Sequence, residues 1–176
     1  GRPALASDAA FAVYATSRPD ITADRAVGQL WRVDLPDGTP RRITRGVADR
    51  APRISPDDAT IAFLRADARG RAQIFVVPAV GGEPVQVTDQ AGGVTDLSWS
   101  PDGAWLAFTA RVVEPGRYGT VEGRDAAAEP PRRIIGIRWH ANGHGYLDRP
   151  AHLFVVEAPA ADAEPFYEPA PDVVTP

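Results

Sequence analysis

Cysteine, methionine and lysine are all missing from this chain of 176 residues, and Asn142 is its only asparagine. Without cysteine there can be no disulfide, no thiolate nucleophile and no zinc-finger framework. The redox compartment is therefore unmarked. Every one of the 19 basic residues is arginine, and the formal net charge is −4. A mildly acidic chain lacks the basic face that nucleic-acid binding requires. Its arginine pairs, Arg41-Arg42 and Arg132-Arg133, make no patch. No apolar run is long enough to cross a membrane, and the opening Gly1–Leu5 is not of signal-peptide type. A chain opening on Gly1 reads as processed or engineered, and the cytoplasm is the default expectation.

What is present is a repeat. Ser55-Pro56-Asp57-Asp58 precedes Ala59-Thr60-Ile61-Ala62-Phe63-Leu64. At an offset of 45 residues, Ser100-Pro101-Asp102-Gly103 precedes Ala104-Trp105-Leu106-Ala107-Phe108-Thr109. A worn copy, Ser7-Asp8 followed by Phe11–Ala15, stands 49 residues upstream of the first. A second element recurs in phase as Gln29–Val33, Gln73–Val77 and His152–Val156. A third recurs as Pro40–Thr44 and Pro84–Thr88. Such fixed-period similarity marks repeat architectures.

Each element is short, β-branched or aromatic, and bounded by turn residues, which is the pattern of strands. In Ser-Pro-Asp-Gly, proline presets φ, aspartate bonds the backbone ahead of it and glycine accepts positive φ. No segment keeps a 3.6-residue apolar period, so almost no helix is expected. One complete unit reads as strands at Pro52–Ser55, Thr60–Arg65, Ala72–Pro78 and Pro84–Thr88. Four strands in about 45 residues make one propeller blade. A β-sandwich is the alternative, but sandwiches seldom repeat their sequence in phase.

The expected fold is thus all-β, a partial β-propeller of about three four-stranded antiparallel blades. Residues 1–157 would form the propeller, with blades about 7–46, 47–92 and 93–157. The first blade is expected to lack its innermost strand, since only Gly1–Ala6 precede its turn. The third carries a long inserted hairpin between Arg111 and Ala151. Within it Val113–Pro131 reads as a mobile loop with few apolar anchors, Arg132–Trp139 as a strand, and Asn142-Gly143 as a hairpin turn. Residues 158–176, rich in proline, alanine and glutamate, read as a loop or linker.

The repeat resembles the WD-like repeat of TolB-type propellers and of the N-terminal propeller of the prolyl oligopeptidase family of serine peptidases. The stretches Arg132–Ile134 and Asn142–Val156, with Phe11–Asp20, resemble the acylaminoacyl- and dipeptidyl-peptidase-like members. The resemblance implies a parent chain whose α/β-hydrolase domain carries a Ser, Asp, His triad, with peptides as substrates. No Gly-x-Ser-x-Gly occurs here. Ser98 and Ser100 lie beside a turn and lack the preceding glycine. No catalytic, cofactor-binding or metal-binding residue is therefore assigned, and no cofactor is expected. The chain reads as a non-catalytic domain that gates or shapes access to a hydrolase domain. The alternative is a TolB-type protein-binding module. Open blade faces would favour self-association.

Other constellations have plainer readings. His140, His144 and His152 could suggest zinc, but Asn142-Gly143 breaks any helix that would align them. Asp8, Asp57 and Asp102 could suggest calcium, but their place before a small or turn residue is turn chemistry. Glu114, Glu122 and Glu129 could bind a peptide amino terminus, as acidic propeller residues do in some members of the resembled family; a solvated loop is the simpler reading. Of Trp31, Trp99, Trp105 and Trp139, the first two sit at strand positions and should pack between blades. Trp139, beside the inserted hairpin, is the candidate interface aromatic.

Overall fold

The computed structural model describes residues 1–121, 123, 128–142, 145–159 and 173–174. They form three four-stranded antiparallel sheets and one small hairpin, with no α-helix among the described residues. The first sheet runs β1 (Ala4–Leu5), β2 (Phe11–Asp20), β3 (Arg25–Asp34), β4 (Arg41–Arg42). The second runs β5 (Arg50–Ile54), β6 (Thr60–Ala66), β7 (Ala72–Pro78), β8 (Val85–Gln86). In the third, β9 (Val94–Trp99) and β10 (Trp105–Arg111) lead into an insertion that holds β11 (His140–Ala141) and β12 (Gly145–Tyr146). The sheet then resumes with β13 (Ala151–Glu157) and β14 (Val173–Val174). Every sheet is a simple meander in chain order, which is the blade arrangement the repeat implies.

The repeated turn works by local bonding. Asp57 Oδ1 accepts from Ser55 Oγ (2.5 Å) and Ala59 N (3.1 Å), while Ser55 Oγ accepts from Thr60 N. Ser100, Asp102, Ala104 and Trp105 repeat the set. In the first sheet Asp8 caps Ala10 in the same way, but Ala6 rather than Ser7 stands in the serine's place, as the matching Ala9 N→Ala6 O bond shows. The fourth turn residue, Ala9, Asp58 or Gly103, has φ of 58°, 58° and 74° respectively. Only the third copy has the glycine that takes this conformation without strain. Downstream, Thr44 Oγ1 and Thr88 Oγ1 accept from Leu30 N and Ile74 N, which explains the recurring threonine.

Packing is between sheets. Phe11, Val13, Leu30 and Ile43 of the first meet Ile61, Phe63 and Val77 of the second. Its other face, Ala62, Leu64, Ile74 and Val76, meets Leu97, Leu106, Phe108, Phe154 and Val156 of the third. Burial on both faces is why β6 and β7 read as continuous apolar runs. Phe108 and Phe154 stack at 5.4 Å. Trp99 packs on the second cluster and donates to Arg53 O at 3.0 Å, so it joins two sheets as expected; Trp31 is half-buried.

Three expectations are corrected. The first blade does have its innermost strand: two residues, Ala4 and Leu5, suffice to pair with Val13 and Ala12. The segment 158–176 is not only a linker, since β14 pairs with β13 as the outermost strand of the third sheet. The stretch Arg132–Trp139 forms no strand, and the long hairpin of the insertion is reduced to β11 and β12.

Candidate functional site

The insertion is the only large departure from the repeat, and it gathers the chain's unusual polar chemistry. It leaves the third sheet where Arg111 pairs with Ala151, and the ladder is extended by Val112 N→Pro150 O at 2.9 Å. Arg71, on the turn between β6 and β7, donates to Tyr118 O at 3.1 Å and so ties the insertion to the second sheet. Tyr118 itself holds φ at 54°.

Inside, Arg117 is a clamp. Its buried guanidinium donates to Glu114 Oε2 (2.9 Å), Pro130 O (2.7 Å) and Pro131 O (3.0 Å), which joins the two limbs of the loop. Glu129 accepts from Tyr118 N at 2.7 Å and pairs with Arg132 at 3.4 Å. Asp148 accepts from the Tyr118 hydroxyl at 2.6 Å and from Arg132 Nε at 3.1 Å. The Arg132 guanidinium lies 4.0 Å over the Tyr146 ring, and that of Arg149 lies 4.1 Å over Tyr118.

These contacts shift the groups involved. Burial would raise the Asp148 carboxyl, but the bonds from Tyr118 and Arg132 outweigh it and hold it below the ordinary range. Burial first, and then the bond to Asp148, push the Tyr118 hydroxyl up. Burial would lower Arg132, but Asp148 and Tyr118 keep it above its usual value. A phenol pushed up and already donating to a carboxylate is not a poised nucleophile. The network is built to hold shape and charge.

Beside it lies an open cavity of about 320 Å3, lined in part by Arg132, Ile134, Ile135, Trp139, Tyr146 and Leu147. Ile135 and Ile137 are 86% and 99% exposed, and Arg133 and Arg138 make no hydrogen bond or ion pair among the described residues. An apolar, cationic and aromatic surface of this kind offers recognition, not proton transfer.

The residues singled out from sequence separate here. Glu129 is tied into the network with its side chain 14% exposed, so the solvated-loop reading fails for it. Glu114 is exposed and pairs with Arg117, and Glu122 lies outside the described residues. Within 113–131 the anchors are polar ones, at Arg117, Tyr118 and Glu129, which a count of apolar residues does not register. His140 is exposed against the rings of Trp139 and Tyr146. His152 stands apart on β13, and His144 lies outside the described residues. Among the described residues no group of three or more His, Asp or Glu side chains could hold a metal ion. Asp8, Asp57 and Asp102 sit in three separate turns. Trp139 lines the cavity. Arg117, Tyr118 and Asp148 escaped the sequence reading, because nothing periodic marks them.

No known family model matches the chain. It is 28% identical over 155 residues to an uncharacterised peptidase, YuxL, of Bacillus subtilis, covering 88% of this chain and 23% of that protein. It is 32% identical over 148 residues to dipeptidyl-peptidase 5 of Porphyromonas endodontalis, covering 81% and 20%. Among solved structures, acylaminoacyl peptidase of Pyrococcus horikoshii superposes with a TM-score of 0.68 at 19% identity, over 89% of this chain and 23% of that one. A TolB protein of Agrobacterium tumefaciens gives 0.56 at 20% identity, over 88% and 44%. The chain therefore spans about a fifth to a quarter of the length of these two curated relatives.

Proposed function

On the premise that this chain is a propeller region of the prolyl oligopeptidase-family type, we propose that it serves as the non-catalytic part of a serine peptidase. In this reading it caps an α/β-hydrolase domain and limits entry to short or unstructured peptides. The observation that carries the reading is the alignment with dipeptidyl-peptidase 5. It takes in 81% of this chain at 32% identity, yet only 20% of the peptidase. The sequence also contains no Gly-x-Ser-x-Gly in which a nucleophile could be exposed. Acyl transfer by an activated serine would take place outside this segment. The insertion, with its cavity and with Arg133 and Arg138 unpaired among the described residues, is the surface proposed to meet a peptide.

A TolB-type binding module is the second reading. It is favoured by the likeness to TolB, although that superposition is poorer, at 0.56 against 0.68.

A fluorophosphonate probe tests the proposal. The 176-residue chain should stay unlabelled and leave acyl-peptide chromogenic substrates intact. The product of the open reading frame that contains it should label at a serine within Gly-x-Ser-x-Gly. Stoichiometric labelling of a serine in the 176-residue chain would refute the reading, and so would a reading frame with no hydrolase segment.

A further inference from the structure

The pair Arg41-Arg42 makes no patch in the sequence, but the fold brings it to one cavity with Arg45 and Arg65. The cavity, about 510 Å3, lies where the first sheet meets the second. It runs from the turn between β7 and β8, at Val80–Pro84, to the crossover at Arg45 and Gly46. Every lining residue belongs to these two sheets, to that turn or to that crossover, and one apolar core packs the two sheets together. The cavity is therefore a product of an internal junction of the chain. Its mouth is held by two bonds from the first sheet to the turn. Arg41 Nη1 donates to Val80 O at 2.9 Å, and Arg32 Nη1 donates to Ala79 O at 3.0 Å.

The charges in the lining do not balance. Arg65 is committed to Asp49, whose carboxylate accepts from its Nε and Nη2. The other three guanidinium groups face one carboxylate, that of Glu83. A guanidinium carries five N–H donors. Arg41 uses one on Val80 O and Arg42 one on Gln29 Oε1 at 3.4 Å. The Arg45 and Glu83 side chains make no hydrogen bond or ion pair among the described residues. Most of the donors around the cavity are thus uncommitted, and the positive charge is in excess.

A matching ligand must carry more than one negative charge and many acceptor oxygens in a small volume. A single carboxylate does not, since one carboxylate satisfies one arginine, as Asp49 does for Arg65. Linked phosphate groups do, because they present several charges with acceptors on all sides, and the planar fork of arginine suits them. No aromatic side chain lines the space, so a nucleobase would find no ring to stack on.

We propose that this cavity binds an oligophosphate, either inorganic or the phosphate chain of a nucleotide. Arg41, Arg42 and Arg45 bond its oxygens, and Arg65, fixed by Asp49, adds positive charge to the wall. The inference goes beyond the peptidase reading and does not depend on it.

Isothermal titration calorimetry of the 176-residue chain with sodium tripolyphosphate at neutral pH tests this. A single ion per chain should bind, more weakly as salt rises. Arg42 and Arg45 are exposed, so Arg42→Gln and Arg45→Gln should fold, and each should weaken binding about tenfold or more. Glu83→Gln should tighten it about two- to fivefold, a gain that damage to the fold would not produce. ATP should bind as tripolyphosphate does, and adenosine should not bind. Arg65 is left in place, since removing it strands Asp49. A wild type that binds no tripolyphosphate overturns the proposal, and so do Arg42→Gln and Arg45→Gln variants that bind as the wild type does. A blocked tripeptide of aspartates that binds as tightly overturns the phosphate assignment, because any cluster of negative charge then suffices. Loss of binding in Arg133→Gln places the ion on the insertion and overturns the site. Binding that is absent from the product of the whole open reading frame means that a segment of that product fills the cavity, and overturns it too.

Discussion

Replacing Arg65 by methionine should destabilise the chain more than any other single change of a charged residue on the second sheet. The Asp49 carboxylate is fully buried and accepts from Arg65 Nε at 2.7 Å and Nη2 at 2.9 Å. It sits where the chain crosses from the first sheet to the second, with Asp49 N donating to Gly28 O at 3.0 Å. A Cβ on Gly46 would overlap the carboxylate, so no side chain there could offer a new partner. Methionine keeps the stem and removes the charge, leaving a buried anion with no cation. Removing one partner of a buried pair costs about 3–5 kcal/mol. Arg65 is 19% exposed, so water can partly reach the site, and the lower end, about 3 kcal/mol, is expected. The guanidinium also lies 5.2 Å from the Phe63 and Phe75 rings, and losing that contact adds about 0.5–1 kcal/mol. In urea, with a slope of about 1–3 kcal/mol per molar, the midpoint should fall by about 1–4 M. Tryptophan fluorescence at neutral pH would follow it. The double variant Asp49→Ala/Arg65→Met should recover most of the loss, because no charge is then stranded. A fall of less than about 0.5 M, or a double variant no better than the single one, would refute the stranded-charge argument.

Ser55→Ala removes the hydroxyl that bridges Asp57 and Thr60 N, and should cost about 1–3 kcal/mol by thermal melting. The same change at the more exposed Ser100 should cost less, and equal costs would mean that burial does not matter there. The insertion should hold its arrangement between about pH 5 and 9. Asp148 titrates lower folded than unfolded, so its stabilisation is present above the usual value of about 3.9 and is lost as pH falls through the folded pKa. Tyr118 titrates higher folded, so its share is full below about 10 and is lost as pH rises through the folded pKa. Trp139, whose ring is 5.7 Å from Tyr146, should report both changes in its emission in a His140→Gln variant, which removes the imidazole 5.5 Å away, and a transition within that window would contradict the assignment. Arg117→Ala opens the clamp on Pro130 and Pro131 and should speed limited proteolysis within 113–131, with Thr60–Pro78 cut no earlier than in wild type. Unchanged cleavage would show that the clamp does not order the loop.

The repeat was legible because its chemistry is short-range. Serine, aspartate and the two following amides meet within six residues, so the turn can be read from the letters alone. The β-branched and aromatic runs that follow carry the strand period, and their fixed spacing carries the blade. Ala4–Leu5 was missed because two residues show no period, and they become a strand only because Val13 and Ala12 lie alongside. Val173–Val174 was hidden in a proline-rich tail for the same reason. Arg132–Trp139 shows the converse, since its isoleucines favour a strand but a strand exists only when a neighbour accepts its ladder.

The candidate site depended most on tertiary structure. Tyr118 meets Glu129 across 11 residues and Asp148 across 30, with no repeating sequence pattern to announce either contact. The sequence by itself determined the turn, the strand period and the phase of the repeat, because each is set by neighbours along the chain. The tertiary structure alone decided which glutamate is drawn into the network and which arginine clamps the insertion, because those depend on what lies across a gap and not on what comes next.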